Sequence, residues 1–135
     1  MDKKLLIAGV IMLFIISACT SGTGKETPEK ENFAGKTSES AVTIDLEPHQ
    51  FENGVLEIDI SLNTHTIDMS GFDLKKQVKL VIGEDEYYPV SAPSLGGHHN
   101  SGTLRFEIPE EPGEHMIIIT GIPDVEERIF KWEAN

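Results

Sequence analysis

From residue 41 onward, apolar and polar residues alternate in short runs. Val42, Ile44 and Leu46 alternate with Thr43, Asp45 and Glu47. Leu56, Ile58, Ile60 and Leu62 alternate with Glu57, Asp59 and Ser61. Successive side chains of a strand point to opposite faces. A period of two, with acids on the second face, therefore predicts half-buried strands of an antiparallel sheet. Val78, Leu80 and Ile82 repeat the pattern, as do Leu104, Phe106 and Ile108. Glu86 to Val90, with Tyr87 and Tyr88, predicts a short strand. Met116 to Ile119 is continuously apolar and predicts a central strand buried on both faces. Phe130 and Trp132 share one face of a last strand, opposite Ile129 and Lys131. A short helical turn is expected near Phe72 to Lys76, after Ser70-Gly71.

Turn signals separate these runs: Glu52-Asn53-Gly54, Ile82-Gly83-Glu84-Asp85, Glu111-Pro112-Gly113 and Gly121-Ile122-Pro123-Asp124. Glycine reaches positive φ, while proline and aspartate favour turn geometry. About seven short strands in roughly 95 residues predict an all-β domain over residues 41–135. The expected arrangement is an antiparallel β-sandwich of immunoglobulin-like or fibronectin type III-like style, with a small open barrel as the alternative. Cys19 is the only cysteine, so no internal disulfide can form. The domain is expected to be held by its apolar core alone.

Residues 20–40 differ in kind. They are rich in Ser, Thr, Gly, Glu and Lys, contain Pro28, and have only Phe33 and Ala34 as apolar residues. This composition predicts a flexible spacer, behind Cys19, with a typical span of roughly 25 Å. Ahead of it, Leu5 to Ile16 is an apolar run behind Lys3-Lys4. It is shorter than the about 20 apolar residues that a spanning helix needs. A basic start, a short apolar run and small residues before a cut predict a secretory signal over residues 1–18. Ile16-Ser17-Ala18-Cys19 resembles the lipobox of prokaryotic lipoproteins, a branched aliphatic, two small residues and cysteine. The resemblance implies that Cys19 is acylated and becomes the mature N-terminus, anchoring an extracytoplasmic domain to the membrane. Two acyl chains suffice for stable anchoring. An ordinary signal peptide with a leftover cysteine is the alternative.

The net charge of −12 becomes −13 when Asp2, Lys3 and Lys4 leave with residues 1–18. That acidity argues against nucleic acid as a partner, and against electrostatic docking on anionic lipid.

Candidate chemistry gathers in two stretches, Asn63-Thr64-His65-Thr66-Ile67-Asp68-Met69 and Ser94 to Gly102, which hold three of the five histidines. Gly96, Gly97 and Gly102 let the second stretch turn sharply or approach another group closely. Neutral imidazole is the commonest metal ligand, and zinc and copper sites use it freely. His65, His98 and His99, with Asp68 or Met69, would make a first shell if the two stretches meet. Adjacent residues of an extended chain point apart, so His98 and His99 share an ion only in a bent loop. In the structural alternative, His65 and one of the pair hydrogen-bond the backbone of a long connection. His49 and His115 are expected at solvent or edge positions.

The remaining motifs are poor in chemistry. Glu84-Asp85-Glu86, Glu110-Glu111 and Glu126-Glu127 sit at turns, where solvated charge is the expected role. Weak calcium binding near Asp68 and Asp73 has no EF-hand pattern behind it. Tyr87, Tyr88 and Trp132 are expected in core or edge packing rather than on a binding face. Neither a Gly-x-Ser-x-Gly elbow nor a phosphate-binding glycine loop with lysine occurs in the chain. No enzyme activity is expected.

Asn63-Thr64-His65-x-x-Asp68, with Gly96-Gly97-His98-His99-x-x-Gly102-x-Leu104-x-Phe106 and a closing Arg128-x-Phe130-x-Trp132, resembles a recurring, largely uncharacterised domain of prokaryotic secreted and lipoprotein chains. The likeness spans about residues 42–133 and implies no reaction. The expected function is a surface-anchored, non-enzymatic binding or accessory domain with a protein or envelope partner. The alternative is extracytoplasmic copper or zinc binding through His65, His98 and His99.

Overall fold

The computed structural model describes residues 33–134; the signal segment, Cys19 and the first part of the spacer lie outside them. Two four-stranded antiparallel sheets form the all-β sandwich that the alternation predicts. The first sheet holds β1 (Lys36–Ser38), β2 (Val42–Pro48), β3 (Val55–Thr64) and β6 (His99–Glu107), in the order β1-β2-β3-β6. The second holds β4 (Val78–Ile82), β5 (Asp85–Tyr87), β7 (His115–Thr120) and β8 (Glu127–Trp132), in the order β5-β4-β7-β8. The sheets are separate, so the open barrel does not form. A 3-10 turn, Met69–Gly71, and a four-residue helix α1, Leu74–Gln77, lie in the β3–β4 connection. Asp73 caps α1 by accepting a hydrogen bond from the Lys75 N–H at 3.1 Å. No helix among the described residues is long and apolar enough to cross a membrane.

Registers confirm the faces. Ile44 lies opposite Leu62, Leu46 opposite Ile60, and Ile58 opposite Leu104, all buried. Leu80 lies opposite Ile117, and Ile117 opposite Phe130, facing them from the second sheet. β7 is central, as expected, but Met116 and Ile118 on its second face are only half-buried. No layer covers that side among the described residues. β6 starts at His99, earlier than its apolar pattern shows, because Asn100 and Gly102 occupy inward positions. Gly102 is required there by Pro93: a Cβ would lie 2.5 Å from the Pro93 Cβ. Gly102→Ala is expected to cost about 1–3 kcal/mol by overpacking. Gly96→Ala, which meets open space, should be near neutral. Urea unfolding of the two variants checks this; equal midpoints would refute it.

Two expectations are corrected. The domain takes in residues ahead of 41: Phe33 is 3% exposed and β1 pairs with β2. The segment is held by groups that come to it. The Trp132 indole N–H donates to the Ala34 carbonyl at 2.6 Å, and the Arg128 guanidinium donates to the carbonyls of Ser38 and Val42 and to the Ser40 hydroxyl. Any sequence offers backbone carbonyls, so composition does not reveal such docking.

His115 is the second correction. It is 2% exposed, stacked on Trp132 with ring centroids 5.2 Å apart at 8°, and 6.4 Å from the Phe33 ring. Its Nδ1–H donates to the Gly113 carbonyl at 2.8 Å, and its Nε2 is buried without a hydrogen-bond partner. Burial pushes its pKa down. As pH falls through about 6.5, the unfolded chain takes up a proton at His115 that the folded chain refuses. Stability is therefore expected to fall on the acid side, by at most about 1.4 kcal/mol per pH unit from this group. His49 acts in the opposite sense, since its pKa is raised, chiefly by its hydrogen bond to Asp59, but it is half-exposed and its contribution is small. His115→Phe keeps a ring on Trp132 and should flatten the acid slope between pH 7 and roughly 5. An unchanged slope in urea titrations would exclude His115 as its source.

Candidate functional site

The β3–β4 connection and the segment before β6 meet at one end of the sandwich. Thr64 ends β3 with its hydroxyl accepting from the N–H groups of Thr66 and Ile67, both at 3.2 Å, which turns the chain. Asp68 caps the 3-10 turn by accepting from the Ser70 N–H at 2.9 Å. That hydrogen bond is the chief cause of its lowered pKa. Two backbone hydrogen bonds then join the segments: Thr64 N–H to the His98 carbonyl and Met69 N–H to the Gly97 carbonyl, each 2.9 Å. Gly97 has φ +60°, the left-handed conformation that suits glycine.

The predicted site residues take different places. His98 Nδ1–H donates to the Ile67 carbonyl at 2.9 Å, and His99 Nδ1–H to the Asn63 side-chain oxygen at 3.0 Å. Both bonds leave Nε2 as the ring nitrogen bearing the lone pair. The His65 and His99 rings meet edge to face, with centroids 5.9 Å apart. Met69 is fully buried in the core and is removed from any surface first shell. Among the described residues, no group of three or more His, Cys, Asp or Glu side chains is placed to hold a metal ion. The loops do come together, and they present His65 beside His99 rather than three converging donors. The hydrogen bond of His98 to backbone matches the structural alternative for one of the pair, while His65 meets the His99 ring.

A second feature carries no sequence motif. The outer face of the first sheet carries a shallow trough of about 580 Å³, with Asp45, Asp59, Ser61, Ser101 and Thr103 among its lining residues. Asp45 accepts from the hydroxyls of Thr37 at 2.7 Å and Ser61 at 3.2 Å. Asp59 accepts from Thr103 at 2.7 Å and from His49 Nε2 at 2.8 Å. Its pKa is lowered, first by the Thr103 hydrogen bond and then by His49. The alternation shows that these side chains share the solvent face. It does not show which of them meet, since that depends on pairing across three strands.

Comparison of the chain with protein-family models, with curated proteins and with solved structures found no match.

Proposed function

We propose that this chain is a lipid-anchored, extracytoplasmic β-sandwich module that binds a protein or envelope partner without catalysing a reaction. The observation that carries the reading is the placement of the two ends. Phe33, where the described chain begins, packs by His115 and Trp132 at one end of the second sheet. Thr64, His98 and His99 lie at the opposite ends of β3 and β6 from Val55 and Glu107, and Val42 lies opposite Thr64. β1 runs from the Phe33 end toward the Val42 end, pairing Lys36 with Leu46 and Ser38 with Ile44. A ten-residue strand such as β3 spans roughly 33 Å. A chain tethered through Cys19 would therefore hold its joined loops about one strand length from the point of entry. The backbone bonds between the loops favour a fixed surface for a partner.

The copper- or zinc-binding alternative is less well supported, since among the described residues His65 and His99 stand together without a third His, Cys, Asp or Glu placed to share an ion.

The anchor is tested by growing cells that express the full chain with labelled fatty acid. Label and membrane association are expected for the native chain, and both should be lost in Cys19→Ser. A soluble, unlabelled native chain would overturn the anchored reading. His65→Cys, in a chain whose Cys19 carries the lipid, should react with a membrane-impermeant maleimide on intact cells. Lack of reaction on cells that do carry the labelled chain would overturn the presentation of the loops.

A further inference from the structure

A strand at the edge of a sheet presents a row of unpaired backbone N–H and C=O groups, a template for another chain. Among the described residues, three of the four sheet edges are short or partly covered. β1 and β5 have three residues each. On β6, the Val90 N–H donates to the Arg105 carbonyl at 2.8 Å, and the Arg105 N–H donates to the Ser91 carbonyl at 3.0 Å. β8 differs. It is a six-residue edge, and no described strand pairs with its outer side. The Gly121 N–H donates to the Glu126 carbonyl at 3.3 Å, one pair beyond Thr120 and Glu127. Bonded and non-bonded pairs alternate along an antiparallel ladder. Glu127, Ile129 and Lys131 therefore turn their backbone groups away from β7, toward the free edge. Their side chains lie on the outer face, where Ile129 is 51% exposed.

The same three residues say what would pair with that edge. Glu127 and Lys131 are both exposed. Four residues apart on one strand, they stand roughly 13 Å from each other and cannot pair. Neither makes an ion pair among the described residues. Lys79, whose charge Glu127 feels, is itself held by Glu86 at 2.6 Å. A second β8, antiparallel to the first and related to it by a twofold axis beside Ile129, supplies both missing partners. Ile129 then lies beside Ile129 of the second copy, and Glu127 lies opposite Lys131 at both ends. All three pairs fall at bonded positions, which gives about six backbone hydrogen bonds. Other registers fail. A shift of one residue sets edge-facing backbone groups against groups turned to β7. A shift of two leaves Lys131 opposite Val125, or Glu127 opposite Glu133.

We infer that the outer edge of β8 pairs with β8 of a second copy of this chain, joining two four-stranded sheets into one. Isologous contacts need a self-complementary patch. An acid, an apolar residue and a base, placed symmetrically about Ile129, form one. The whole chain carries −12, yet the side chains along this edge are balanced. A charge turned inward at an edge opposes pairing. The one that β8 turns inward, Arg128, is bonded to the Ser38 and Val42 carbonyls of its own chain. A single pair of strands covers less than the about 800 Å² per partner of a standard interface, so the dimer is weak and concentration-dependent. The inference does not depend on lipid anchoring, although an anchor would raise the effective concentration.

The test uses a chain beginning at Thr20, which keeps the whole core from Phe33 to Trp132. Sedimentation equilibrium of the native chain should show a monomer–dimer equilibrium. Glu127→Lys and Lys131→Glu each place like charges opposite one another twice per dimer, and each should weaken self-association roughly tenfold. Mixed in equal amounts, the two variants restore both opposite-charge pairs, and association should return to within a few-fold of native. Ile129→Pro removes an edge N–H and keeps the ladder to β7, since proline is tolerated on the open side of an edge strand. It should abolish the dimer. Circular dichroism melts verify that the variants fold, and the charge exchange decides alone if the proline variant does not. A native chain that stays monomeric at its solubility limit would overturn the inference. So would a mixture that associates no better than the variants alone, or a folded Ile129→Pro chain that dimerises like the native one.

Discussion

Trp132→Ala is expected to lower stability by about 3–5 kcal/mol, the cost of emptying a large buried aromatic site. Trp132 is fully buried, and three contacts depend on it. Its ring carries His115, which in turn lies against Phe33, and its indole N–H is bonded to the Ala34 carbonyl. Alanine would leave a cavity beneath the stack and remove a donor from the entering segment. A domain of this size has about 5–15 kcal/mol in total, so the loss takes a large share of it. The melting temperature should fall by roughly 15–30 °C. Trp132→Phe keeps a ring under His115 but loses the N–H and part of the ring volume, and should cost about 2 kcal/mol. Thermal and urea unfolding followed by circular dichroism separate the two. A loss below about 1 kcal/mol for alanine would mean that the stack contributes little.

Arg128→Met should detach the start of the domain. Arg128 is buried, and its guanidinium donates to Ser38, Ser40 and Val42. It ties the end of β1, the turn after it and the start of β2 to β8, across the open side of the sandwich. Burial lowers its pKa, and Asp124, whose carboxylate also accepts from the Ala41 N–H at 3.3 Å, offsets part of that cost. Methionine fills similar space and leaves the Val42 carbonyl without this donor. The expected loss is about 2–3 kcal/mol, reduced by the relief of burying a cation. Lysine is not a substitute, since one ammonium cannot reproduce the fork. The local effect is distinctive: trypsin should cut after Lys36 much faster in Arg128→Met than in the native chain. Equal cutting rates would show that β1 is held by its pairing with β2 alone.

The alternation of Val42, Ile44 and Leu46, and of Leu56 through Leu62, specifies both strand and buried face. Burial of one face forces a period of two, and the period is local. The turn at Asn53-Gly54 is legible for a similar reason: Asn53 has φ 52° and Gly54 φ 80°, values that the residue types announce. The short helix after Asp73 follows from its cap. By contrast, the docking of residues 33–38 depends on Arg128 and Trp132, more than 80 residues away in sequence. The burial of His115 depends on the same Trp132. The composition of the His65 and His98 loops marks them as candidates for chemistry, but their meeting and the direction of each ring depend on backbone bonds between them. The free edge along Glu127, Ile129 and Lys131 exists only because β7 pairs with one side of β8 and no described strand pairs with the other. Local chemistry determines where the chain extends and turns. Only the packing of distant strands decides which of its side chains share a surface, because that choice belongs to pairs of segments rather than to either one.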